Sequence, residues 1–296
     1  MNIFITGHSG FVGKSLIKYL SKDINLTFFD KKNMILQNQQ VVINLAGKAH
    51  DLKKIHSIDD YYIVNTELTK NLFDSFITSD ANVFITISSV KAIADTVYSE
   101  LTEDNIPNPI THYGKSKLLA EQYILSKTIP KGKRVYILRP CMIHGPGNKG
   151  NLNLLYQMVS NGFPWPLGAF DNKRSFCSID NLCFIINELI ENDKIPSGVY
   201  NVADDGPMST NDLIKLISSS QGKKYKIWKV PVSLIKFFSK LGDLFNLPLN
   251  SERLGKLTET YIVSNAKIKA AINKSLPFTV KEGLMKTLNS FNTNVK

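Results

Sequence analysis

Asn2-Ile-Phe-Ile-Thr-Gly-His-Ser-Gly-Phe-Val-Gly13 decides the fold. Asn2 to Thr6 reads as a buried strand, glycines follow at positions 7, 10 and 13, and a helix runs from Phe11 to Ser21. Between a strand and a helix, such glycines allow a tight turn, a close backbone approach to a pyrophosphate and tight helix-to-sheet packing. The helix N-terminus then faces the negative charge. Further strands at Asn25 to Phe29, Val41 to Leu45, Asn82 to Ser88 and Arg134 to Leu138 alternate with helices at Ile58 to Ser79 and Thr111 to Lys127. That alternation predicts an α/β fold with a doubly wound parallel sheet.

Asp30, at the end of the second strand, suits the ribose hydroxyls of an adenosine and repels a 2'-phosphate. NAD(H) is therefore favoured over NADP(H), which Lys31 and Lys32 keep open. Beyond Gly145, glycines and prolines up to Gly168 mark a change of architecture towards a smaller, mostly helical lobe. A helix at Asn181 to Glu191 and a strand at Val199 to Val202 return to the sheet. The expected division is residues 1–145 and about 178–202 for the Rossmann domain, with 146–177 and 203–296 for the second lobe.

The 296 residues are 43% hydrophobic, enough for a sizeable core. No apolar run approaches the roughly 18 residues of a membrane span, and a cytoplasmic location is expected. Cys141, Cys177 and Cys183 show neither CxxC spacing nor a nearby His pair, and the five histidines form no metal-binding pattern. The net charge is +11, but only four residues are arginine (Arg134, Arg139, Arg174, Arg253), so the excess reads as a lysine-rich surface, with nucleic acid disfavoured. In Ser233 to Phe245, Leu234, Phe237, Phe238, Leu241 and Phe245 share one helical face with Lys236 and Lys240 outside it. Packing against the second lobe is the expectation there, a membrane-surface helix the alternative.

Tyr113-Gly-Lys-Ser-Lys117 carries the chemistry. Positions i and i+4 share a helix face, so Tyr113 and Lys117 point into one site while Lys115 points away. A nearby cation favours the phenolate, and Tyr113 becomes a candidate general acid or base.

The Thr6 to Gly13 loop, Asn44-Leu45-Ala46-Gly47, Ser88-Ser89, Tyr113-x-x-x-Lys117, Leu138-Arg139-Pro140 and Gly145-Pro146 follow in that order. In this order the chain resembles an extended short-chain dehydrogenase/reductase of the NAD-dependent epimerase/dehydratase family. Its later segments, including Lys173-Arg174-Ser175-Phe176 and Tyr200-Asn201-Val202-Ala203-Asp204, resemble the subgroup acting on UDP-hexoses at C4. The resemblance implies that Gly7, Gly10, Phe11, Val12 and Gly13 hold the pyrophosphate, that Leu45, Ala46 and Gly47 line the dinucleotide cleft, and that Asn65 supports it. It implies that Ser89 binds the reacting oxygen, Tyr113 exchanges its proton, and Lys117 holds the nicotinamide ribose and depresses the Tyr113 pKa. Arg174 matches a UDP phosphate ligand and Asn151 a nucleotide-sugar contact, whereas Arg139 reads equally as structural. A homodimer joined through Ile58 to Ser79 and Thr111 to Lys127 is likewise implied.

Departures narrow the reading. Val90 and Lys91 stand where 4,6-dehydratases carry two acidic residues, so elimination of water has no evident catalyst. Met142 and His144 replace residues common in 4-epimerases, leaving the sugar undefined. Only ten residues separate Asp30 from Val41, too few for the third strand usual at that place. Loss of adenine-side surface favours a cofactor exchanged at every turnover. The expectation is a UDP-4-keto-hexose(amine) 4-reductase of surface polysaccharide biosynthesis; the alternatives are a UDP-hexose 4-epimerase and a non-catalytic NAD-sensing or RNA-associated protein.

Overall fold

The computed structural model describes residues 1–20, 23–29, 36–49, 57–148, 151–245 and 250–293. In chain order its elements begin with β1 (Asn2–Thr6), α1 (Phe11–Tyr19), β2 (Asn25–Phe28) and β3 (Val41–Asn44). A helix follows in three parts: α2 (Ile58–Tyr61), a π-helical turn (Tyr62–Glu67) and α3 (Leu68–Thr78). Next come β4 (Val83–Ile87), a 3-10 turn (Val90–Ala92), α4 (His112–Leu125), β5 (Arg134–Pro140), β6 (Met142–His144) and α5 (Asn151–Ser160). The remainder comprises β7 (Lys173–Arg174), β8 (Phe176–Ser178), α6 (Ile179–Glu191), β9 (Gly198–Val202), β10 (Met208–Ser209), α7 (Thr210–Ser220), α8 (Val232–Phe245), α9 (Ser251–Thr258), α10 (Ala266–Ile272) and α11 (Val280–Thr293).

Six parallel strands form the main sheet in the order β2-β1-β3-β4-β5-β9. Successive strand residues face opposite sides. Ile3, Ile5, Val41, Ile43, Val83, Ile85, Tyr136 and Leu138 therefore pack with α1, α6 and α10 on one side. Phe4, Val42, Phe84, Val135 and Ile137 pack on the other, against Leu72, Phe73 and Phe76 of α3 and Ile124 of α4. A third apolar cluster joins α5, α7, α8, α9 and α11 around Trp165, Leu213, Ile217, Leu254, Leu284 and Leu288.

The short connection after β2 has the expected consequence. Among the described residues β2 is an edge strand with no strand beyond it, and Phe28 is exposed apart from a ring contact with His8 at 4.6 Å. The chain leaves β1 towards β2 on one side, whereas β3 lies on the other, which opens a crevice at the carboxyl ends of β1 and β3. The glycine loop, Leu45 to Gly47 and Ser88-Ser89 all follow strand ends there.

One packing expectation fails. The face of α8 expected to pack inward is turned out, and the buried residues are Ile235, Ser239 and Gly242. Apolar spacing fixes that a helix has a face, whereas the neighbouring elements fix whether that face is covered.

Candidate active site

The glycine loop is built by close backbone approach. Gly7 has φ +67°, and a Cβ there would stand 2.6 Å from the backbone of Leu45 and 2.7 Å from that of Ala46. Thr6 locks the same junction: its hydroxyl donates to Asn44 Oδ1 at 2.6 Å and accepts from the Ala46 N–H at 3.0 Å. Asn44 in turn donates to Thr69 at 2.9 Å and Thr86 at 3.2 Å, tying β3 to α3 and β4. α1 starts at Gly10 with no side-chain cap and no acidic residue in its first turn. Its leading N–H groups are left for an anion, and the loop therefore fits a dinucleotide pyrophosphate. Asp30 lies outside the described residues.

Asn65 sits fully buried on the π-helical turn, a geometry that gathers at functional sites. Its side chain accepts from the Lys48 N–H at 2.9 Å and donates to the Lys48 carbonyl at 3.0 Å and to Ser116 Oγ at 3.0 Å. It thus ties the loop after β3 to α4. A Cβ on Gly47 would meet Lys117 Nζ at 3.0 Å and Asn65 Oδ1 at 3.3 Å, which places the cleft loop directly over the lysine.

The structure brings Ser89, Tyr113 and Lys117 together. Thr111 caps α4 by accepting from the Gly114 N–H at 3.2 Å, and the Asp95 carboxylate accepts from the N–H groups of Ile110 at 2.7 Å and Thr111 at 3.1 Å. Gly114 lies against the 3-10 turn after Ser89, where a Cβ would collide with the Lys91 carbonyl oxygen. That contact lets the Tyr113 phenol reach the Ser89 hydroxyl and hydrogen-bond it. One turn on, Lys117 is buried and donates to the Ile87 carbonyl at 2.8 Å.

Burial dominates the electrostatics. It pushes the Tyr113 phenol up, the Ser89 hydrogen bond offsets part of this, and Tyr61, 6.4 Å away ring to ring, raises it further. It also pulls the Lys117 ammonium down to about 8, with Glu121 acting the other way. The expected depression of the Tyr113 pKa is thus not produced by the chain alone, because loss of hydration outweighs the hydrogen bond.

Two sets of partners had little signal in the sequence. Glu121 continues the Tyr113-Lys117 face by another four residues, a spacing that could have flagged it. It forms a buried ion pair with Arg139 (2.5 Å from Nη2, 3.0 Å from Nε) and accepts from the Ser88 hydroxyl. Arg139 is therefore structural. Arg174 pairs with Glu259 at 2.8 Å and donates from Nε to the Glu259 carbonyl at 3.3 Å. The two stand 85 positions apart in the chain, so no local spacing announces the pair. Lys91 stands with its ammonium 4.2 Å from the Tyr261 ring centre and donates to the Asp95 carbonyl at 2.7 Å, while Val90 is buried. Asn151 is the first residue of α5. His144 is buried, 3.4 Å from Asp204 and 2.9 Å from Thr287. The three cysteines are free and buried, and among the described residues no group of His, Cys, Asp or Glu is arranged for a metal.

Residues 3–203 match the family described as NAD dependent epimerase/dehydratase. The chain belongs to that family. A UDP-glucose 4-epimerase of Vibrio cholerae is 32% identical, over 98% of this chain and 95% of that protein. The N-acetyl-alpha-D-glucosaminyl-diphospho-ditrans,octacis-undecaprenol 4-epimerase of Escherichia coli O157:H7 is 25% identical, over 97% and 94%. In shape, the chain is similar to a UDP-glucuronic acid 4-epimerase from Bacillus cereus in complex with NAD, with TM-score 0.76, 18% identity and full coverage of both chains. This epimerase/dehydratase chain is an NAD-dependent nucleotide-sugar enzyme. No helix among its described residues is long and apolar enough to cross a membrane.

Proposed function

We propose that the chain inverts the configuration at C4 of a UDP-hexose. The observation that carries this reading is the convergence of Ser89, Tyr113 and Lys117 at the carboxyl end of the sheet beside the glycine loop. NAD, when bound, supplies the acceptor and donor of hydride at the sugar carbon. The chain supplies the rest. Ser89 holds the C4 oxygen, Tyr113 takes its proton and returns it, and Lys117 binds the nicotinamide ribose and presents positive charge to the phenol. Gly7, Gly10, Phe11, Val12 and Gly13 receive the pyrophosphate, Asp30 the adenosine ribose, and Leu45, Ala46, Gly47 and Asn65 line the cleft. Arg174 binds the UDP diphosphate, for which Glu259 now competes, and Asn151 contacts the nucleotide sugar. Val90 and Lys91 bring no carboxylate to the sugar, so the chemistry stays at the carbinol and water is not eliminated.

Epimerisation, rather than the reduction expected from the sequence, is supported by relatives matched over nearly their whole length that are 4-epimerases. The second reading, reduction of a UDP-4-keto-hexose, is supported by the edge position of β2 among the described residues and by the ten residues between Asp30 and Val41, too few for a further strand to help retain an adenosine between turnovers. Exposed Ile63 on the π-helical turn, with Leu119 and Leu125 on α4, supports a homodimer through those helices. Free, buried cysteines accord with a cytoplasmic location.

NMR of the protein mixed with UDP-glucose should show UDP-galactose forming without added cofactor, with NAD released on denaturation. Turnover only with a 4-keto substrate and added NAD(P)H would replace epimerase by reductase. Tyr113→Phe should lose about 10²–10⁴-fold in kcat; unchanged turnover would sink the catalytic assignment.

A further inference from the structure

α8 carries an outward apolar face that none of the described residues covers. At about 100° per residue, Leu234, Phe237, Phe238, Leu241, Leu244 and Phe245 fall within an arc of about 120°. Phe237 is 57% exposed, Phe238 51%, Leu244 72% and Phe245 65%. The stripe that holds the helix to its lobe is the neighbouring one, Ile235, Ser239 and Gly242, with Ile235 in the cluster that contains Leu254 and Leu284. Lys236 and Lys240 lie on the remaining side, both exposed. A helix anchored by a small-residue stripe while its aromatics face outward is built to bury them in something else.

The charge of α8 and of the segment that precedes it in the chain says what that is. Residues 213–242 contain seven lysines (215, 223, 224, 226, 229, 236, 240) and neither Asp nor Glu; of the acids at the two borders, Asp212 pairs with Lys215 at 2.9 Å and Asp243 lies in the last turn of α8, so positive charge stays in clear excess. All seven lysines are exposed, and Tyr225 and Trp228, in the segment that leads into α8, are exposed too. A second copy seated face to face would bring the same positive charge against itself. An anionic lipid surface provides headgroups for the lysines, an interfacial layer for tyrosine and tryptophan, and acyl chains for Phe and Leu. We propose that α8 and the lysine-rich segment before it dock the protein on an anionic bilayer, with α8 lying in the plane of the interface.

The test is flotation of the full chain with vesicles of phosphatidylcholine alone, or with about one third phosphatidylglycerol. The chain should float with the anionic vesicles at low salt, and binding should fall at least about tenfold in high salt and without the anionic lipid. The double substitution Phe237→Ser with Phe238→Ser should reduce binding at least about tenfold while the melting temperature holds, because both side chains are exposed. Lys236→Glu with Lys240→Glu leaves the apolar face intact and should reduce only the phosphatidylglycerol-dependent binding. Absence of flotation, flotation that neither pair of substitutions changes, or a wild-type dimer that the phenylalanine substitutions dissolve would overturn the proposal.

Discussion

Lys117 makes the folded state sensitive to alkaline pH in a way that can be isolated. Its ammonium falls from the ordinary 10.5 to about 8, chiefly because burial strips its hydration. Between those two values the unfolded chain keeps the proton and the folded chain has released it. The unfolded state then binds more protons, and stability rises with pH. Below pH 8 both states are protonated and the cost of burying the charge is fully present. That cost is about 3 kcal/mol at pH 7 and about 1.4 kcal/mol at pH 9.5, a relief of about 2 kcal/mol. Lys117→Met keeps the stem and removes the charge. It also leaves the Ile87 carbonyl without the 2.8 Å donor, a loss of about 1–3 kcal/mol that does not depend on pH and cancels between the two conditions. Urea unfolding of both proteins at pH 7 and 9.5 should therefore show the wild type gaining about 2 kcal/mol on the variant at the higher pH. Parallel pH profiles would refute the reasoning, because they would mean that Lys117 is hydrated in the fold.

Gly114→Ala should lower kcat while leaving NAD affinity within about threefold, since the added methyl pushes α4 off the Lys91 carbonyl and withdraws Tyr113 from Ser89 without touching the glycine loop; titration of NAD fluorescence quenching beside steady-state kinetics separates the two. Arg139→Met leaves the Glu121 carboxylate buried without its ion-pair partner and should cost about 3–5 kcal/mol in urea unfolding. Glu259→Gln removes the anion that competes for Arg174, and calorimetry should show UDP binding tighten at least about threefold with uridine binding unchanged. Equal gains for UDP and uridine would remove Arg174 from the phosphate.

How much of the site was legible follows the range of each interaction. Tyr113 and Lys117 share a face because helical periodicity is local, and Glu121 could have been added by the same count. Glycines at 7, 10 and 13 announce their turn because a strand and a helix flank them within a dozen residues. Gly114 looks like any helical glycine until the Lys91 backbone is seen against it. The Tyr113 pKa escapes the sequence for a related reason: sequence places a cation nearby, whereas the extent of burial, which dominates, is set by everything packed around the phenol.

The sequence by itself determined the parallel sheet, the short connection between its second and third strands, the glycine loop and the face on which the proton-transferring residues lie. These are periodicities and spacings within single elements, and chain geometry alone enforces them. Only the tertiary structure decided that Arg139 is neutralised by Glu121, that Glu259 occupies Arg174, and that the phenylalanines of α8 point away from the protein. Each of those depends on which surfaces meet after distant segments are brought together. Burial, the quantity that turns a charge or an aromatic ring from benign to costly, exists only once they have met.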